Sequence, residues 1–141
     1  MTRRKTMLLL SREDIKKIVD MNDIIDATQK AFEMVADGTA DIPLRTKIPE
    51  PKGEFLFMPA YAESMNAAAV KVINIFPENI DKGLISAPAQ VMLCDGETGY
   101  ITALLDGNTV TQYRTGASSG VAFRALARKD AKKGCLIGTG G

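Results

Sequence analysis

Three basic side chains stand in sequence contexts where chemistry is possible. Lys71 lies within Ala67-Ala68-Ala69-Val70-Lys71-Val72-Ile73-Asn74, among almost wholly apolar neighbours. An ammonium in such a strand either points to water or is desolvated, and desolvation lowers its pKa. Periodicity alone favours the solvated face. Arg45 follows a proline in Ile42-Pro43-Leu44-Arg45-Thr46, and Arg114 lies in Val110-Thr111-Gln112-Tyr113-Arg114-Thr115-Gly116-Ala117. A guanidinium can hold a carboxylate through two parallel hydrogen bonds, which a lysine cannot do. Taken singly, each arginine reads equally as a surface residue or an ion-pair partner. A fourth feature closes the chain, where Gly138-Thr139-Gly140-Gly141 follows the apolar Cys135-Leu136-Ile137. It has the form of the first half of a G-x-G-x-x-G/A turn, whose glycines bring backbone N–H groups to a pyrophosphate. A flexible glycine tail is the alternative.

Composition narrows what these groups can do. The 141 residues contain no histidine, which excludes a Ser-His-Asp triad, a Cys-His pair and a His-ligated metal. Proton chemistry must then use Lys, Asp, Glu, Tyr, Cys or a cofactor, and no metal site is expected. Lys+Arg number 18 against 17 Asp+Glu, a net charge of +1 that argues against nucleic acid or an anionic membrane surface as partner. The chain is one domain's length, with 45% hydrophobic and 25% charged residues, as in a soluble globular protein. Cys94 and Cys135 form no CxxC pair and read as two buried thiols in a reducing cytosol. The basic Met1-Thr2-Arg3-Arg4-Lys5 is followed by only a short apolar run, Met7 to Leu10. That run is too short for a signal peptide or a membrane helix, so a cytoplasmic location is expected.

The elements that must position these residues follow from pattern. Leu8 to Leu10 read as a short strand. Ser11 and Asp14 have the spacing of a helix start, and Ile15, Ile18 and Val19 follow at helical intervals. Asn22 is expected to cap a second helix that carries Ile24, Ile25, Ala31, Phe32 and Val35 and ends at Gly38. Beyond it Pro43, Pro49, Pro51 and Gly53 punctuate extended segments, with strands expected at Leu44 to Ile48, Phe55 to Met58 and Ala69 to Phe76. Ala89 to Cys94 and Tyr100 to Leu105 flank Asp95-Gly96-Glu97-Thr98-Gly99, a hairpin signal. Asp106-Gly107-Asn108 is a turn and cap, Thr109 to Arg128 one long helix, and Cys135 to Ile137 a last strand. Met58-Pro59-Ala60-Tyr61 reads as core plus turn. The expected class is α+β: N-terminal helices and a mixed, largely antiparallel sheet, then a long linking helix and the first strand of another domain.

Together the segments resemble a known family. Arg45, Phe57-Met58-Pro59-Ala60, Lys71-Val72-Ile73-Asn74, Asp106-Gly107, Thr111-Gln112-Tyr113-Arg114-Thr115-Gly116-Ala117-Ser118-Ser119 and Ile137-Gly138-Thr139-Gly140-Gly141 occur in the order of the ornithine cyclodeaminase/mu-crystallin family. The resemblance implies a substrate-binding and dimerisation domain over 1–128, including the linking helix, and the start of a truncated NAD(P)-binding Rossmann domain over 129–141. It implies that Arg45, Lys71 and Arg114 bind the substrate, with Lys71 also the catalytic acid/base beside the reacting Cα. Ser86, Gly138, Thr139, Gly140 and Gly141 would meet NAD or NADP. The implied partners are a small amino or imino acid and a second copy joined through the sheet. The implied reaction is oxidation of an amino acid at Cα with cyclising deamination, as from ornithine to proline. Alanine dehydrogenation, ketimine reduction and a non-catalytic dimerisation or ligand-binding module are the alternatives. On the resemblance the chain reads as the N-terminal portion of such a protein, inactive by itself.

Overall fold

The computed structural model describes residues 6–138. Strand β1 (Leu8–Leu10) leads directly into helix α1 (Arg12–Ile18). The join is a full capping box, in which the Asp14 amide donates to Ser11 Oγ at 3.2 Å and the Ser11 amide donates to the Asp14 carboxylate at 3.1 Å. Those bonds hold the Asp14 carboxyl below its ordinary pKa. Helix α2 (Met21–Ala36) is capped by Asp20, whose side chain accepts from the Asn22 amide at 2.8 Å. The cap is therefore Asp20 and not Asn22, because the carboxylate two residues earlier reaches the free N–H first. Gly38 closes the helix with φ of 71°.

A seven-stranded sheet follows. Its strands are β1, β2 (Ala40–Asp41), β3 (Thr46–Glu50), β4 (Gly53–Ala62), β5 (Ala67–Ile75), β6 (Ala89–Asp95) and β7 (Ile101–Asp106). The order is β1-β7-β6-β5-β4-β2, with β3 sharing the outer edge of β4. Only β1–β7 is parallel; the other pairings are antiparallel. β3 runs two residues later than its alternation suggests and takes in Pro49, which an edge strand tolerates because one side makes no ladder bonds. The Asp95–Gly99 hairpin forms as expected, with the Gly99 amide on the Asp95 carbonyl at 2.8 Å. Short 3-10 turns, Glu63–Met65 and Pro77–Lys82, link β4 to β5 and begin the passage to β6.

Helix α3 (Gly107–Leu126) crosses back over the sheet. Its small residues let α2 approach closely: a Cβ at Gly120 would meet the Ile25 side chain at 2.7 Å. Arg124 ties the two helices by donating to Asp26 at 2.6 Å and Gln29 at 3.1 Å. After α3 the described chain has no helix or strand, so Cys135 to Ile137 forms no strand. An extended segment becomes a strand only through a ladder partner, and none lies beside this one among the described residues. Leu136 and Ile137 are exposed, and Cys135 is exposed where a buried thiol was expected; Cys94 is half-buried. Among the described residues no helix is long and apolar enough to cross a membrane.

Register decides which side chains share a face. Directly paired residues project to the same side, and neighbours along a strand to opposite sides. Met58, Lys71, Val91, Leu105 and Leu10 therefore form one row across β4, β5, β6, β7 and β1. This row faces the helices, since Leu10 and Leu105 line a cavity of about 250 Å³ with Ile15, Ile18, Val110, Tyr113 and Arg114. Ala60, Ala69 and Leu93 on the same face line a second cavity with Phe32 and Val35 of α2. The opposite row, Pro59, Val70, Met92, Leu104 and Leu9, is apolar, and none of the three helices packs against it.

Candidate active site

Lys71 sits at the middle of β5, with Met58 opposite it on β4 and Val91 on β6. That central position makes the strand continuous and well paired, so the lysine has little freedom except along its own stem. The residue is half-buried. Burial pushes its ammonium below the usual lysine pKa, and the positive charges of Arg114 and then Arg45 push it further. The structure thus brings Arg45, Lys71 and Arg114 into one electrostatic neighbourhood, although 69 residues of sequence separate the two arginines.

Each cation arrives from a different element. Arg45 immediately precedes β3, whose register starts with Thr46 opposite Phe57. One residue further back lies beside Met58, at the edge of the row that holds Lys71. Arg114 belongs to α3, eight residues beyond the Asp106 cap and so about 12 Å along the helix axis. It shares its cavity with Val110, one turn earlier, which places it on the sheet-facing side. Of the hydroxyls near it, Thr115 Oγ1 donates to the Thr111 carbonyl at 2.7 Å and Ser118 Oγ to the Arg114 carbonyl at 2.9 Å, whereas the buried Thr111 Oγ1 has no partner among the described residues.

Nothing within the described residues neutralises the three cations. Their side chains make no ion pair or hydrogen bond there. Three carboxylates are engaged elsewhere: Glu54 pairs with Lys47, Asp26 with Arg124, and Asp14 with Ser11. Like charges gathered without a counter-ion repel one another and together attract an anion. Two planar guanidiniums and an ammonium against an apolar wall are suited to hold a carboxylate, with the ammonium's proton available to a neighbouring nitrogen.

Two neighbours that the motifs did not single out hold this arrangement in place. Asn108 donates to the Ala87 carbonyl at 2.8 Å and accepts from the Ala89 amide at 3.0 Å. It fastens the segment entering β6 to the first turn of α3. Gly107 presses on the same place, since a Cβ there would lie 2.5 Å from the Ala89 backbone. Both residues belong to the Asp106-Gly107-Asn108 turn, whose sequence signals a cap but not what the cap touches.

Ser86 lies in the fastened segment, half-buried, with its carbonyl accepting from the Phe76 amide at 2.8 Å. It is thus beside the far end of β5, five residues or about 16 Å along the strand from Lys71. Its hydroxyl has no hydrogen-bond partner among the described residues. Gly138 takes φ of 80°, with nothing within 4 Å of where a Cβ would sit. An unengaged hydroxyl and an open left-handed glycine are compatible with contacts to a cofactor. Thr139, Gly140 and Gly141 lie outside the described residues.

Comparison with known proteins adds independent findings. The profile of the ornithine cyclodeaminase/mu-crystallin family matches residues 4–141. A Delta(1)-pyrroline-2-carboxylate reductase of Bacillus cereus is 40% identical over 136 residues, covering 95% of this chain and 42% of its own length. The fold is similar, with a TM-score of 0.82 and 47% identity, to Thermococcus litoralis Delta(1)-pyrroline-2-carboxylate reductase in complex with NADH and L-proline. That match covers 89% of this chain and 40% of the other. An archaeal alanine dehydrogenase dimer with bound NAD matches with a TM-score of 0.82 and 35% identity, over 88% of this chain and 38% of its own. The chain spans about two-fifths of the length of the curated relatives it matches.

Proposed function

The chain belongs to the ornithine cyclodeaminase/mu-crystallin family, and from that membership we propose that it is the substrate-binding part of an NAD-dependent enzyme acting at the Cα of a small amino or imino acid. The observation that carries this reading is the cluster of Arg45, Lys71 and Arg114, three cations gathered at one sheet face with no counter-ion among the described residues. In this reading residues 1–128 form the substrate and dimerisation domain, and residues 129–141 begin a nucleotide-binding domain. Ser86 and Gly138 would touch the dinucleotide, as would Thr139, Gly140 and Gly141; NAD and NADP are both compatible with them.

The residues divide the work by their chemistry. Arg45 and Arg114 grip the substrate carboxylate and so fix the orientation of the Cα that carries it. Lys71 stands beside the substrate nitrogen. Its lowered pKa raises the neutral fraction, so it can take a proton from that nitrogen and return it when the reaction runs the other way. Met58, Val91 and Leu105 exclude water from the reacting carbon. A bound nicotinamide supplies the hydride chemistry at Cα. Three finer reactions fit this division. Reduction of a cyclic ketimine needs the redox step alone; dehydrogenation of alanine adds hydrolysis of the imine, which releases ammonia and leaves NADH, whereas cyclising deamination of a diamino acid releases ammonia and returns the hydride. The apolar, helix-free face of the sheet supports the further reading that a second copy pairs with it.

Titration of the chain with L-proline tests the carboxylate site, and binding that disappears in Arg114→Ala is the expected result. Binding unaffected by removal of either arginine would refute the reading. In a protein that carries this chain through the nucleotide domain, NADH consumption with a cyclic ketimine, without ammonia release from ornithine, identifies the reductase. Stoichiometric ammonia from ornithine identifies the cyclodeaminase, and binding without turnover identifies the non-catalytic module.

A further inference from the structure

We infer that Lys71 is a nucleophile as well as a proton carrier: its Nζ condenses with the keto carbon of an α-keto acid whose carboxylate is held by Arg45 and Arg114. The inference rests on the carboxylate reading of Arg45, Lys71 and Arg114 given above. Its own support is the surface from which the amine rises. β5 is paired along both edges, with β4 and with β6, so the Lys71 backbone is fixed. Its ladder partners are Met58 and Val91, and the next residues on its face along the strand are Ala69 and Ile73. The diagonal positions Leu56, Ala60, Ala89 and Leu93 are apolar as well, and Leu56 and Ala89 are buried. This patch of sheet therefore holds no carboxylate, amide or hydroxyl to accept from the ammonium. Among the described residues every other lysine is exposed.

An amine on an apolar floor beside fixed cations is the setting in which a lysine adds to a carbonyl carbon. Burial and like charge both favour the neutral form, and the neutral form is the nucleophile. A keto oxygen occupies on Cα the place that nitrogen occupies in an amino acid. An α-keto acid gripped by its carboxylate therefore sets its carbonyl against the same Nζ that stands beside a substrate nitrogen. The two guanidiniums offset the carboxylate charge, which otherwise opposes attack at the neighbouring carbon. Lys71 adds through its nitrogen lone pair, the C=O bond gives way to C=N, and two of the three ammonium protons leave with the oxygen as water. One ammonium and one ketone thus become one protonated imine and one water, with no oxidant, reductant or further reactant. The imine keeps the carboxylate and one positive charge on nitrogen, so the arginines still hold it, and hydrolysis reverses the step.

The test uses pyruvate on the chain as it stands, with sodium cyanoborohydride to reduce any imine to a stable carboxyethyl group on Nζ and peptide mapping to locate it. Lys71 is expected to be labelled at least about tenfold faster than exposed lysines such as Lys30 and Lys52. Acetone, a ketone without the carboxylate, is expected to lose that preference, as is pyruvate in Arg114→Ala. Pyrrole-2-carboxylate should protect Lys71 and leave the exposed lysines unaffected. Calorimetry with pyruvate separates the two ways of failing. Arginine-dependent binding of pyruvate without preferential labelling of Lys71 overturns this inference and leaves the carboxylate site standing. A preference for Lys71 that acetone keeps in full overturns it too, since the amine then reacts without a held carboxylate. Pyruvate binding that neither arginine affects, or no binding at all, overturns the carboxylate reading and this inference with it. The acetone comparison and the protection by pyrrole-2-carboxylate keep the proposal falsifiable in the unmodified chain if Arg114→Ala does not fold.

Discussion

Gly107 lies so close to Ala89 that a Cβ on the glycine would sit 2.5 Å from the Ala89 carbonyl carbon. Ala89 is fully buried at the start of β6, so the backbone it would strike cannot move aside without disturbing the sheet. This contact sets the height of α3 above the strands, and Arg114 takes its position from it two turns later. Gly107→Ala is expected to cost about 1–3 kcal/mol in urea unfolding, as overpacking against a rigid backbone does. A variant as stable as the parent would show that α3 is not seated by this contact.

Asn108 fastens the Ser86 segment to α3 through two side-chain bonds to backbone. Asn108→Ala leaves the Ala89 amide and the Ala87 carbonyl without their partner and is expected to cost about 1–3 kcal/mol. Hydrogen exchange at the Ala89 amide should accelerate by more than exchange in β4 does. Uniform acceleration would mean general destabilisation instead of a released segment.

Arg45 and Arg114 are proposed to grip a carboxylate with planar, forked donors. Replacing either with lysine keeps the charge and loses the fork, so affinity for L-proline is expected to fall about tenfold, and further with alanine. Lysine variants that bind as well as the parent would reduce the arginines to point charges.

Lys71 gives the site a pH dependence whose sign can be worked out. Its folded pKa lies below the unfolded lysine value, through burial first and then Arg114 and Arg45. As pH rises through the lowered value the third positive charge is lost, so affinity for pyrrole-2-carboxylate, which has no basic amine, should fall. Between the folded and unfolded values the unfolded chain binds more protons, so stability should rise with pH across that window. Lys71→Met should flatten both curves and leave the protein no less stable near neutral pH. A pH profile identical in the parent and the variant would remove Lys71 from the site.

The sheet face that carries Pro59, Val70, Met92 and Leu104 has no helix packed on it. An apolar face of this extent favours self-association, and light scattering is expected to report a dimer that Val70→Lys converts to monomer. A monomeric parent at high concentration would leave that face without its proposed occupant.

Local chemistry is legible in the sequence. The Ser11 and Asp14 pair, the Asp95–Gly99 hairpin and the Asp106 cap involve neighbours within a few residues, and each forms as its spacing suggests. Spacing misleads where a competing group stands one step away, as Asp20 does for Asn22, or where a strand needs a partner, as Cys135 to Ile137 does. Met58 reads as core because nothing adjacent to it in the chain carries charge. Its importance comes from Lys71, thirteen positions away in the sequence and directly opposite in the ladder.

The sequence by itself determined the residue types available for chemistry: no imidazole, two arginines in separate motifs and one lysine among apolar neighbours. It also determined the α+β order of the elements and the family motifs. Which way Lys71 points was decided only by the tertiary structure. Alternation assigns residues to two faces but does not say which face the helices will cover, and here both faces are apolar. Pairing of β4, β5 and β6 together with the seating of α3 put Lys71 under the helices, against the solvated face that its periodicity favours. Burial and two nearby guanidiniums, all from elements distant in sequence, then turned an ordinary strand lysine into the centre of a candidate site.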